Sequence, residues 1–217
     1  MSAVARLEPI VGAASRLRAF GQPLVSRRPP LCPEIDLWLV GDDLDLENDC
    51  RHLGNCQPPP YWAFCWGSGQ ALARFLLDRP DDVRGRCVVD FGSGCGVAAI
   101  GAALAGAREV VAVDLDPAAR AATRENAARN GARVDVSSAI PDEWDILLAA
   151  DVLYEGPNLE RLMALRGAGR AVLVSDPGRA SSPRLPVEPV ARYAVQTLPD
   201  VDSPLRSAAV YRLPDLL

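Results

Sequence analysis

The sequence contains no lysine; all 23 of its basic residues are arginine. We read this as the compositional bias of a GC-rich genome. Histidine and methionine are almost as scarce, with one His (His52) and two Met. No apolar run approaches the roughly 20 residues that span a bilayer as a helix. An excess of positive charge is also missing. The formal charge is −5 and the pI about 5.0, which argues against a nucleic-acid binder held by phosphate neutralisation. The six cysteines, Cys32, Cys50, Cys56, Cys65, Cys87 and Cys95, include no CxxC pair. With no secretory pattern ahead of them, reduced intracellular thiols are expected. "CRHLGNC" gathers Cys50, His52 and Cys56, but a fourth ligand is not evident, so no metal site is expected.

The 217 residues, 49% hydrophobic and 24% charged, are enough for one globular domain with a real core. The first 30 residues are rich in Arg, Ala and Ser, and Glu8 is their one acid. Val4, Leu7, Val11 and Leu17 approximate one apolar face, so a helix is expected there, in a cytoplasmic bacterial protein. A transit peptide leading to the mitochondrial matrix is the alternative. Residues 29–66 are Pro-, Asp- and Cys-rich and read as an irregular arm. Helix and arm (1–66) should pack on a core formed by 67–217.

From "SGQALARFLLDRP" (68–80, helical) the pattern becomes regular. "CVVDF" (87–91) is a short apolar run typical of a buried parallel strand. "VAAIGAALAGA" (97–107) is a helix, "EVVAVDLD" (109–116) a strand, and "PAARAATRENAARNG" (117–131) a helix opened by Pro117 and closed by Gly131. "ARVDVSS" is a third strand, residues 145–150 a fourth, "NLERLMALRGAG" a helix and "RAVLVSDPG" a fifth strand. "VARYAVQTL" and "SAAVYRLP" can close the sheet as an antiparallel hairpin. Alternating strands and helices imply an α/β fold: a mostly parallel, Rossmann-like sheet of seven strands between helical layers.

In such a sheet the ligand lies beyond the carboxyl ends of the strands, beside the first. "DFGSGCG" (90–96) occupies that place, and its glycines Gly92, Gly94 and Gly96 let backbone approach a ligand. Asp114 follows at the end of the second strand, about 20 residues on, where a carboxylate can accept from both ribose hydroxyls. Asp90 stands where dinucleotide sites carry a small or apolar residue. An acid there suits the positively charged amino-acid end of S-adenosylmethionine. This region resembles the seven-β-strand, class I methyltransferases. "DVLY" (151–154), after the fourth strand, matches the D-x-x-Y motif of their protein lysine methyltransferases.

"PPPYW" (58–62) invites a different reading, since PPY or PPW grips base amino groups in nucleic-acid methyltransferases. The position before it in those enzymes carries a side-chain acceptor; here it is Pro58, which has none. The stretch also precedes the glycine loop instead of following the fourth strand. A base-flipping role is therefore rejected.

Together, "PEIDLWL", "PYWAFCWGSGQAL", the glycine loop, D-x-x-Y and "DPGR" (176–179) resemble the electron transfer flavoprotein β-subunit lysine methyltransferases over residues 31–179. The resemblance implies a protein-lysine N-methyltransferase using S-adenosylmethionine. It places Trp66, Asp90, Gly92, Ser93, Gly94, Gly96, Asp114 and Leu115 around the cofactor, with Ser137 and Ser138 near its adenine. Asp151 and Tyr154 would form the acceptor site, with Trp62 lining it. The implied partner is a protein substrate, the flavoprotein β subunit, with a ribosomal protein as alternative; no nucleic acid or membrane, and a monomeric enzyme, are expected. A non-catalytic binding protein on the same fold is the rival of another class, against which the intact Gly92, Gly94, Asp114 and Asp151 speak. Without lysine, such an enzyme has none of its own to modify. The chain departs from the family after Arg179, where "ASSPRLPVEP" is proline-rich.

Overall fold

In the computed structural model, residues 15–44, 59–165, 170–185, 187–202 and 205–213 are described. The expected N-terminal helix and the Cys50–His52–Cys56 cluster fall outside them.

The strands range from short pairs in the arm to central strands that form where apolar runs are buried on both faces. They are β1 (Arg18–Ala19), β2 (Gln22–Pro23), β3 (Val25–Arg27), β4 (Leu37–Leu39), β5 (Cys87–Phe91), β6 (Glu109–Val113), β7 (Asp135–Ser137), β8 (Ile146–Ala150), β9 (Ala171–Asp176), β10 (Ala191–Ala194) and β11 (Ser207–Arg212). The helices are α1 (Gly67–Asp78), α2 (Val97–Leu104), α3 (Pro117–Arg129) and α4 (Pro157–Leu165). One sheet of seven strands runs β10-β11-β9-β8-β5-β6-β7. It is parallel from β7 to β9, and β11 is antiparallel to both β9 and β10. The closing hairpin and the mostly parallel seven-stranded sheet are as the sequence implies.

Register sets the site. Phe91 of β5 pairs with Val113 of β6 and Ala149 of β8, and Ala150 pairs with Ser175 of β9. The strands therefore end level with one another. Gly92, Asp114, Asp151 and Asp176 each follow the last or next-to-last paired residue and emerge at one edge. β5 lies between β6 and β8, so this edge is where the crossovers diverge and the sheet opens.

The arm is more ordered than its composition predicts. β3 and β4 pair as a hairpin. Leu37 and Leu39 are fully buried and Trp38 half-buried, an alternation hidden by the short run. Asn126 Oδ1 accepts from Trp38 N at 2.7 Å, and Asn126 Nδ2 donates to Cys95 O at 2.9 Å. One buried side chain of α3 thus ties the arm to the glycine loop and satisfies otherwise unpaired backbone groups. At the other end of the chain, Cys65 and Leu198 exchange backbone hydrogen bonds at 2.9 and 3.0 Å. This holds the loop between β10 and β11 against the start of α1. The proline-rich stretch after Arg179 contributes Leu185 and Val187 to the apolar cluster around Leu147 and Val174.

Candidate functional site

A cavity of about 1110 Å³ opens over the carboxyl edge of the sheet. That exceeds the roughly 300–1000 Å³ of a pocket for one small molecule, so a cofactor and an acceptor side chain fit together. Its wall includes eight of the residues singled out from the sequence as cofactor or acceptor positions: Trp66, Gly92, Gly94, Asp114, Leu115, Ser138, Asp151 and Tyr154. Trp62, buried in the 3-10 turn Tyr61–Ala63, lines it too.

One end is built on backbone. Gly92 has φ +72°, and a Cβ there would lie 2.8 Å from Val152 Cγ1. Gly94, φ +52°, donates its N–H to Asp114 Oδ2 at 3.0 Å, and Asp114 Oδ1 accepts from Asp116 N at 3.0 Å. Asp114 is thereby oriented with lone pairs to spare for hydroxyl donors. Trp66, Leu115 and Ile140 add apolar surface.

Three expected cofactor residues lie beneath the loop and do not line the cavity. Asp90 is 2% exposed; its Oδ2 accepts from Ala99 N at 3.1 Å, in the first turn of α2. Burial, reinforced by the charge of Asp114, pushes its carboxyl up to about 7. Ser93 faces Thr123, the hydroxyl oxygens 3.3 Å apart, and Gly96 packs on the same threonine. All three brace the turn from behind. Ser137 spends its hydroxyl on the backbone of Ala139, leaving Ser138 at the cavity.

The other end is built on charge. Asp151 adopts φ +55°, a left-handed conformation that Asp tolerates better than most residues. Its N–H is held by Ser175 O at 3.0 Å. Arg179 grips it with a fork: Nε donates to Oδ1 and Nη2 to Oδ2, each at 2.7 Å. The same guanidinium reaches Asp202, Nη1 to Oδ1 at 3.1 Å and Nη2 to Oδ2 at 2.7 Å. These are charge-assisted, planar contacts of the stronger kind. Paired this way, Arg179 stays charged, its pKa held above the usual guanidinium value by Asp151 first, though burial works against it. Its Cζ lies 5.5 Å from the Trp66 ring centre, and Trp66 in turn packs on Phe64 and Tyr61. Tyr154 is about half exposed; burial and the charges of Glu155 and Asp151 raise its hydroxyl above the ordinary value.

Arg179, Asp202, Asn158 and Tyr61 also line the cavity and were not singled out as site residues from the sequence. Arg179 had a signal, the "DPGR" motif. Asp202 sits in a hairpin loop with none. Asn158 is buried and donates to Val152 O at 2.9 Å, fixing the loop after Asp151.

The family model Ribosomal protein L11 methyltransferase (PrmA) matches residues 70–154. The electron transfer flavoprotein beta subunit lysine methyltransferase of Xenopus laevis is 38% identical over 181 residues, 76% of this chain and 73% of that one. The chain belongs to the electron transfer flavoprotein beta subunit lysine methyltransferase family. The Homo sapiens member is 38% identical over 69% of this chain, and the match spans 57% of its length. Among solved structures, a candidate RNA methyltransferase from Pyrococcus horikoshii superposes with a TM-score of 0.52 at 18% identity, over 69% of this chain and 83% of that one, a likeness of fold. The family makes this chain an S-adenosylmethionine-dependent methyltransferase, and the cavity suits that cofactor: a carboxylate for ribose hydroxyls, glycines where a chain must pass close, and apolar surface for a base. Among the described residues no group of three or more His, Cys, Asp and Glu is placed to hold a metal ion, and no helix is long and apolar enough to cross a membrane.

Proposed function

We propose that the chain transfers a methyl group to the ε-amine of a lysine on the β subunit of electron transfer flavoprotein. The observation that carries this is the placement of Asp151 and Tyr154 in the same cavity as Gly92, Gly94 and Asp114. S-adenosylmethionine supplies an electrophilic methyl group when bound. Trp66, Gly92, Gly94, Asp114, Leu115 and Ser138 hold it, supported from below by Asp90, Ser93 and Gly96.

The protein's own part is to bring up a neutral amine and aim it. A free lysine titrates near 10.4, so a proton must leave before the reaction. The neutral nitrogen would then give its lone pair to the new N–C bond while the sulfur keeps the C–S electron pair, and the lysine would end as a methylated ammonium. Asp151 accepts an N–H and orients the nitrogen, and the Tyr154 ring offers its face to the methylated cation. Alignment of this kind supplies much of the rate in such displacements.

The acidic chain, −5 overall, would steer a basic lysine-bearing surface towards it, so added salt should slow the reaction. Methylation keeps the lysine's charge while adding bulk, and would tune docking of the flavoprotein to its partners. The same reading takes the enzyme as a cytoplasmic monomer of one functional unit. The test is purified enzyme and labelled cofactor with purified flavoprotein, and separately with ribosomal proteins. Label on the β subunit is expected. Label confined to ribosomal proteins, which the family model over 70–154 makes the second reading, would overturn the substrate assignment alone.

A further inference from the structure

The acceptor carboxylate is not free. Both Asp151 oxygens are taken by one guanidinium at 2.7 Å, and that guanidinium is shared with Asp202. All three side chains line the cavity, and their partial exposure, 22% for Arg179, 9% for Asp151 and 18% for Asp202, keeps them within reach of an entering amine. We propose that Arg179 is a positioning residue that offsets the charge of Asp151 and so governs the protonation of the acceptor lysine, an inference that rests on the lysine-methylating function proposed above.

The reasoning is electrostatic. A carboxylate within about 4–6 Å of an amine stabilises its ammonium form and raises its pKa by about one to three units, and a nearby cation does the reverse. Only the neutral amine reacts. A bare Asp151 would therefore hold the substrate tightly in the wrong state. Paired with Arg179, it still has a second lone pair on each oxygen with which to accept the amine N–H, but its field is largely cancelled. Asp202 tips the balance back: with two carboxylates and one guanidinium, the triad carries one net negative charge.

The groups around it come from several elements, and Arg161 of α4 adds a second cation to the cavity wall. Tyr154 and Glu155 come from the loop after β8, Asp176 from the end of β9 and Tyr61 from the turn before α1. Asp176 is turned inward, accepting from Gly178 N and Ser182 Oγ, and burial raises its carboxyl above the ordinary value. The Tyr154 hydroxyl, also raised, stays neutral around pH 7. Arg179 is thus the cation placed directly on Asp151.

A simple tether between loops would look the same in a static structure, and the pH profile separates the two. Single-turnover methyl transfer to purified flavoprotein would be followed from neutral to alkaline pH, with cofactor affinity measured alongside. Arg179→Gln should move the acid limb of the rate profile upwards by about one unit or more, with KM for the protein unchanged or lower. Arg179→Lys keeps the charge and should leave the limb near its wild-type position at a reduced rate. Asp202→Asn should move it the opposite way, towards lower pH. An even loss of rate at every pH in Arg179→Gln, with an unmoved limb, would overturn the proposal. If that variant fails to bind cofactor, Asp202→Asn decides, and an unmoved or upward limb there is equally fatal. A wild-type enzyme that binds cofactor but methylates no protein lysine would overturn the function itself, and this inference with it.

Discussion

The two ends of the cavity are built from different materials. At the end proposed for the cofactor, the contacts come mostly from backbone, one carboxylate and apolar side chains in one continuous stretch from Phe91 to Ile140, with Trp66 shared between the two ends. At the end proposed for the acceptor they come from side chains on segments far apart: Tyr61 and Trp66 before the sheet, Asp151 and Tyr154 after β8, Arg179 after β9, Asp202 in the closing hairpin. The first arrangement suits a ligand that is always the same, since backbone geometry at strand ends is dictated by register and changes little with sequence. The second suits a surface that must fit a particular protein, because loops vary without disturbing the sheet.

If the ends are separable, the largest effect should come from Asp151. Asp151→Asn keeps the shape and tolerates the left-handed backbone but removes the charge that aims the amine. Methyl transfer should fall by about 100-fold or more, while calorimetry shows cofactor affinity within a few-fold of wild type. A parallel loss of both would show that the ends are one unit. The converse is Asp114→Ala. Loss of a charge-assisted acceptor costs about 1.5–3 kcal/mol, so cofactor binding should weaken about 10- to 100-fold, with the pH dependence of transfer at saturating cofactor unaltered. Unchanged affinity would remove Asp114 from the binding site.

Asp90 sharpens the comparison from below the loop. Its carboxyl titrates near 7 in the fold because of burial, against about 3.9 when unfolded. Between those values the folded protein binds the extra proton, so this group's contribution to stability is complete below about pH 4 and is lost as pH rises through 7. The difference is on the order of a few kcal/mol. Asp90→Asn, which can still accept from Ala99 N, should flatten the fall in unfolding free energy between pH 4 and 8, as read by denaturant titration. An unchanged slope would mean that Asp90 is already charged in the fold.

This contrast also explains what could be read beforehand. The seven strands, the closing hairpin and the glycine loop with Asp114 follow from patterns of period and spacing that are local. The β4 strand is not legible because three residues inside a Pro- and Asp-rich arm give too short an alternation to register; Leu37 and Leu39 are buried in an apolar cluster with Val97 and Ile100, and Asn126 of α3 and Asn130 just after it bond the backbone of Trp38 and Asp36. Asp90 reads as a ligand contact in sequence, yet a carboxylate one residue before the loop points to whichever side the pleat dictates, and here that is Ala99. Asp202 was invisible because its approach to Arg179 depends on the Cys65–Leu198 bridge, a contact 133 residues long in sequence with no motif to announce it.

The smallest expected effect tests whether the two ends touch. Gly92 and Gly94 both hold positive φ, at +72° and +52°, so alanine at either costs about 1–2 kcal/mol in backbone strain alone. Their surroundings differ. Among the described residues, chain neighbours aside, nothing lies within 4 Å of a Cβ at Gly94, whereas at Gly92 the methyl would meet Val152 Cγ1 at 2.8 Å. Val152 is buried and β-branched, so it has little rotamer freedom with which to yield, and it directly follows Asp151. Relief of the clash must then shift the backbone that carries the acceptor carboxylate. In the ligand-free protein, Gly92→Ala should therefore unfold a few degrees below Gly94→Ala, at about 2–4 °C per kcal/mol for a chain of this size. It should also lower methyl transfer at saturating cofactor, which backbone strain confined to the loop would not do. Equal melting temperatures for the two variants would mean that Val152 gives way freely and that the glycine loop and the acceptor loop are mechanically independent.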